Sequence, residues 1–144
     1  MALDNREYDT YLATGDLKYT SKDFSGAIQD YTQALNIFSS ATVFNKRGNA
    51  KMNLLTFEES VLDFTKAIEL DSNLGNAYYL RFIAKIFLND YAGARDDIKI
   101  AKQLDKDNSW MYHTFSMFLV ENPEIENSND LKRDFITKAC PLVD

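Results

Sequence analysis

The strongest constraint on this chain is its self-similarity. Residues 41 to 74, ATVFNKRGNAKMNLLTFEESVLDFTKAIELDSNL, run without a gap into 34 residues of the same plan, GNAYYLRFIAKIFLNDYAGARDDIKIAKQLDKDN. Tyr78 falls on Phe44, Arg81 on Arg47, Lys85 on Lys51, Asp97 on Asp63, Ala101 on Ala67 and Leu104 on Leu70. Residues 8 to 40 give a further copy, one residue shorter, in which Gly15 matches Gly48, Asp30 matches Asp63 and Ala34 matches Ala67. A period of this length marks units that cannot each bury an apolar face alone and therefore stack on one another.

Within each copy the apolar residues recur every three or four positions, so each copy predicts two helices. The first spans residues 5–20, opened by Asp4 or Asn5, and carries Tyr8, Tyr11, Leu12 and Tyr19. Asp23 caps the second, which runs to about Ser39. Ser40 caps residues 41–54, and Thr56 with Glu59 reads as a capping box that opens residues 57–70. Residues 75–88 and 91–104 form the third pair, with Asn89-Asp90 at the turn between them. Arg47 and Asp63 lie sixteen residues apart, as do Arg81 and Asp97, which predicts two ion pairs between paired helices. The first copy keeps Asp30 but has Thr14 in the Arg place, so its acid must find another partner or face water.

The copies resemble the tetratricopeptide repeat, whose pattern is W-x2-L-G-x2-Y, then A-x3-F, then P. In the middle copy Phe44 stands in the Trp place, Gly48 in the Gly place, Ser60 in the first Ala place, Phe64 in the Phe place and Ser72 in the Pro place. The first copy keeps Tyr11, Gly15, Ala27, Tyr31 and Ala34; the third keeps Tyr78, Ala94 and Ala101 but has Phe82 where the pattern has Gly. The resemblance implies an all-α fold, an α-solenoid in which antiparallel helix pairs wind into a right-handed superhelix with the first helices on its concave side. On this reading residues 1–144 are a single domain, with repeats at about 8–40, 41–74 and 75–108. Residues 109–120 form a helix that is apolar around nearly its whole circumference, and residues 130–140 carry Leu131, Phe135, Ile136 and Ala139 on one stripe. These two helices are expected to form a degenerate fourth pair, 109–140, that caps the array. The alternative is that the last helix enters the concave groove, its own or that of a second copy.

Composition narrows the function. Sixteen basic side chains against 22 acidic ones give a net charge of −6, which opposes binding to nucleic acid or to an anionic membrane. The N-terminal residues show neither a signal peptide nor a spanning helix, so a cytoplasmic location is expected. One His and one Cys, with no phosphate-binding glycine loop and no ligands at metal spacing, leave no basis for an enzyme, a metal or a cofactor. The expected role is that of a noncatalytic scaffold for protein–protein interaction, binding a peptide or helical segment of another protein in its concave groove. The alternative is a homodimer, an assembly component that uses its apolar C-terminal end as the dimer surface.

The inward positions of the first helices define the expected groove: Asn45 and Asn49 in the second copy, Asn76, Tyr79, Ile83 and Phe87 in the third, and Trp110 and His113 on the helix beyond. With Asp9 and Asp16 in the first copy, the inner face should run from acidic and polar at its N-terminal end to aromatic and apolar at its C-terminal end. A known task of such repeats is to hold the C-terminal carboxylates of heat-shock chaperones with Lys and Asn residues completed by Arg. The corresponding places here hold Leu12, Asp16, Lys46, Asn76 and Leu80, and Asp16 would repel an incoming carboxylate. A chaperone tail in that register is therefore not expected.

Overall fold

A computed structural model of the chain describes residues 2–105, 113, 121, 123–124 and 127–139. The helices whose bounds it describes are α1 (Ala2–Thr20), α2 (Phe24–Ile37), α3 (Ala41–Asn53), α4 (Phe57–Leu70), α5 (Gly75–Phe87), α6 (Tyr91–Leu104) and α7 (Asn129–Ala139). The array is an all-α solenoid: α1 pairs with α2, α3 with α4 and α5 with α6, and each pair stacks on the next through α2 on α3 and α4 on α5. α1 begins at Ala2, a turn ahead of the position that Asp4 and Asn5 suggest.

Small residues let the paired helices approach. A side chain at Gly15 would meet the Tyr31 ring at 2.7 Å, and one at Gly48 would meet the Phe64 ring at the same distance. The third copy places its bulk the other way round. Phe82 takes the Gly position on the first helix, and Ile98 takes the Phe64 position on the second. Phe82 is buried in the core and Ile98 packs against the same cluster. The large ring has thus moved from the second helix to the first, and the pair still closes.

The three turns inside the pairs are copies of one another. Lys22, Leu55 and Asn89 adopt left-handed backbone at φ 65°, 61° and 62°. After each, an N–H reaches back across the helix end: Asp23 to Lys18 at 2.8 Å, Thr56 to Lys51 at 3.1 Å and Asp90 to Lys85 at 2.9 Å. This satisfies carbonyls that the helix would otherwise leave open. Asp23 and Asp90 then cap the following helix, each accepting from a glycine N–H, Gly26 and Gly93, at 3.0 Å. The capping box expected at Thr56 does not form: the Thr56 hydroxyl donates to the Lys51 carbonyl at 3.0 Å instead. Glu59 occupies the place of Gly26 and Gly93, where a Cβ would collide with a capping carboxylate.

Two core clusters follow the repeat. One, around Ala27, Tyr31, Ala34, Val43 and Ala50, joins the first pair to the second. The other runs from Met52 and Phe64 through Tyr79, Ile83 and Phe87 to Phe135 and Ile136 of α7.

Candidate functional site on the inner face

The orientation of the first helices is set by a charged network that recurs with the period. Arg47 holds Asp63 through Nε–Oδ2 at 2.9 Å and Nη2–Oδ1 at 2.8 Å, while its Nη1 donates to Thr32 Oγ1 of the preceding pair at 3.1 Å. Arg81 repeats this with Asp97, at 2.8 and 2.6 Å, and with Thr65, at 3.1 Å. The two predicted pairs therefore form. The threonines and a lysine complete them: Lys51 reaches Asp63 at 3.0 Å and Lys85 reaches Asp97 at 2.8 Å. In the first copy Lys18, at the same offset, takes Asp30 at 2.9 Å. The guanidiniums also lie over Phe44 and Tyr78, at 5.5 and 5.6 Å. Each arginine thus ties three consecutive helices together, which fixes the angle at which one pair meets the next.

With that angle fixed, side chains on the first helices bridge from pair to pair. Asp16 of α1 accepts from Lys46 of α3 at 2.8 Å and from the Tyr31 hydroxyl at 2.7 Å. Burial first, and then that hydrogen bond, push the Tyr31 phenol above the ordinary tyrosine range. Asn53 Nδ2 donates to the Tyr19 hydroxyl at 3.1 Å, and Asn45 Nδ2 donates to Asn76 Oδ1 at 2.9 Å. Bonds between first helices, and the close approach of α3 to α5, place these helices on the tighter side of the array.

Of the residues assigned to the groove, Asn45, Asn49, Tyr79, Ile83 and Phe87 are buried, Asn76 is half-buried and His113 is exposed. Trp110 lies outside the described residues. Tyr79, Ile83 and Phe87 gather in one cluster, and Asn45 meets Asn76 beside it. α7 also reaches this face. It comes against α3, and the Phe135 ring stands edge-on to Phe87 at 6.3 Å. The first helix of the expected capping pair lies outside the described residues except for His113. Sequence reasoning missed the Asp16–Lys46 bridge and the lysine at each repeat acid. The lysines were detectable, since Lys18, Lys51 and Lys85 share one offset. Among the described residues no helix is long and apolar enough to cross a membrane, and no three His, Cys, Asp or Glu side chains cluster as metal ligands would.

Stacked helix pairs with a shared inner face define a helical-repeat scaffold, the fold of noncatalytic protein-binding domains. The helix pairs have the tetratricopeptide-repeat fold. It is similar to the TPR domain of Arabidopsis OM64, with a TM-score of 0.70 and 27% identity over 72% of this chain and 86% of that one. It is similar also to the TPR2AB-domain:pHSP90 complex of yeast Sti1, with a TM-score of 0.68 and 27% identity over 72% of this chain and 41% of that one. Among curated proteins it is 24% identical to the DnaJ homolog subfamily C member 7 homolog of Dictyostelium discoideum, over 90% of this chain. The chain spans about a quarter of that relative's length, 24%. No family model matches.

Proposed function

We propose that the inner face binds a segment of another protein through the apolar floor formed by Tyr79, Ile83 and Phe87 and the amides beside it. The observation that carries this reading is the union of those three side chains in one cluster on the first helices, with the Asn45–Asn76 hydrogen bond at its edge. Aromatic and aliphatic anchors next to fixed polar groups are the usual makeup of a binding hot spot. The Sti1 structure is a complex with pHSP90, which supports peptide capture on this fold. The ligand proposed here differs in chemistry. Lys46 is already met by Asp16, and Leu80 is buried, so neither place offers a carboxylate tail a free cation. The expected location is cytoplasmic, as for a co-chaperone-like scaffold.

A photo-crosslinking residue at Asn76, compared with one at the exposed Leu62 of α4, tests the reading in cell extract. A protein captured from position 76 and not from position 62 supports it. Capture of the same set from both overturns it.

A further inference from the structure

We infer that α7 is a built-in occupant of the inner face, and that the partner is an amphipathic helix of the same apolar spacing which must displace it. This rests on the reading of the inner face above. α7 is short and mostly polar, NDLKRDFITKA, and Arg133, Asp134 and Thr137 are exposed. Yet Phe135 and Ile136 are 1% and 0% exposed, and Leu131 packs against the same cluster. The three form one stripe at i, i+4 and i+5, the arrangement by which a helix lays its apolar face into a groove.

What that stripe meets is the floor assigned to the partner. Phe135 stacks edge-on to Phe87 at 83°, and Lys132 places its ammonium 5.6 Å from the centre of the same ring. Met52 of α3 and Ile83 of α5 belong to the shared cluster. α7 carries Lys132, Arg133 and Lys138 against Asp130 and Asp134, a net +1 in a chain of net −6. A competing helix therefore has a recognisable form: an aliphatic residue, a Lys or Arg immediately after it, and an aromatic-aliphatic pair four and five positions on.

Twenty-four residues, 105–128, separate the end of α6 from the start of α7. A docked segment of the same chain competes at an effective concentration on the order of millimolar, so an outside helix binds only with the surplus. Apparent affinity for a partner is then set by how well α7 holds.

The test uses a labelled peptide of residues 127–139, NSNDLKRDFITKA, added to three full-length chains: unaltered, Leu131→Asp/Phe135→Asp, and Lys132→Glu. Circular dichroism confirms that the helices of the array persist. The double variant should bind the peptide at least about tenfold more tightly than the unaltered chain, and Lys132→Glu, which keeps the apolar stripe, roughly twofold to fivefold more tightly. A photoreactive group at peptide position 135 should cross-link beside Phe87. Equal affinity for all three chains, with cross-links still beside Phe87, overturns self-occupation and leaves the reading of the inner face standing. No binding to any chain overturns the helix pattern, and the crosslinker at position 76 then decides the inner-face reading separately. A dimer in which Phe135 of one copy cross-links to Phe87 of another also overturns it, because α7 would then serve a second chain.

Discussion

Arg81 grips Asp97 with two parallel hydrogen bonds while its third nitrogen reaches Thr65 on the helix behind, and Arg47 treats Asp63 and Thr32 in the same way. Asp97 is 2% exposed, so removing its partner strands a carboxylate away from water. Truncation of one member of a buried pair costs about 3–5 kcal/mol, but Lys85 remains on Asp97. Arg81→Ala should therefore lower unfolding free energy in urea by about 2–3 kcal/mol. Arg81→Lys keeps the charge but loses the fork, and should cost about 1–2 kcal/mol. Changing Arg81 and Asp97 together to Ala should cost less than the two single changes added.

The tight approach of Gly48 to Phe64 makes a separate prediction. A methyl at position 48 would sit 2.7 Å from the ring, so Gly48→Ala should destabilise by about 1–3 kcal/mol through overpacking. In a Phe64→Leu background the same change should cost less. Thermal unfolding of the four chains of that cycle measures the coupling.

The left-handed turn positions allow a stabilising change. Lys22 is exposed and pays the steric cost of positive φ without compensation, so Lys22→Gly should raise stability by about 0.5–1 kcal/mol. Leu55 has the same backbone, but its side chain packs on the core, so Leu55→Gly should show no such gain. Urea midpoints distinguish the two.

Tyr31 predicts a pH dependence. The folded chain holds the phenolic proton more tightly than the unfolded chain does, because of burial and the bond to Asp16. Its stabilisation is complete below the ordinary tyrosine pKa of about 10 and is lost as pH rises beyond it, since only the unfolded state then releases the proton. Tyr31→Phe should be less stable than the unaltered chain by about 1 kcal/mol at pH 7. The gap should narrow steadily above pH 10 in parallel urea titrations.

The period carried most of the fold. The spans 57–70 and 91–104 match α4 and α6, and the Arg–Asp pairs follow from two copies aligned without a gap. Local chemistry was less legible. Thr56 and Glu59 fit a capping box by residue type, yet the Thr56 hydroxyl was taken by the Lys51 carbonyl, a partner created only when the turn closes. The Asp16–Lys46 bridge was hidden for a related reason: its members lie thirty positions apart on different first helices, and the spacing that joins them arises from stacking. The inner-face residues were placed on first helices by the alignment, but α7's approach to the same face depends on a segment with no counterpart in the other copies.

The arginine that spans three helices also carries a limit on growth. It needs a threonine on the helix behind it, and Thr32 and Thr65 meet that need, whereas the same place on α6 is filled by Lys99. A third arginine arriving there would face a like charge, and at the other end Thr14 stands where an earlier arginine would have been. The ladder of cross-ties thus has two rungs and stops at both ends. An engineered extension beyond α6 would have to begin with residue 99.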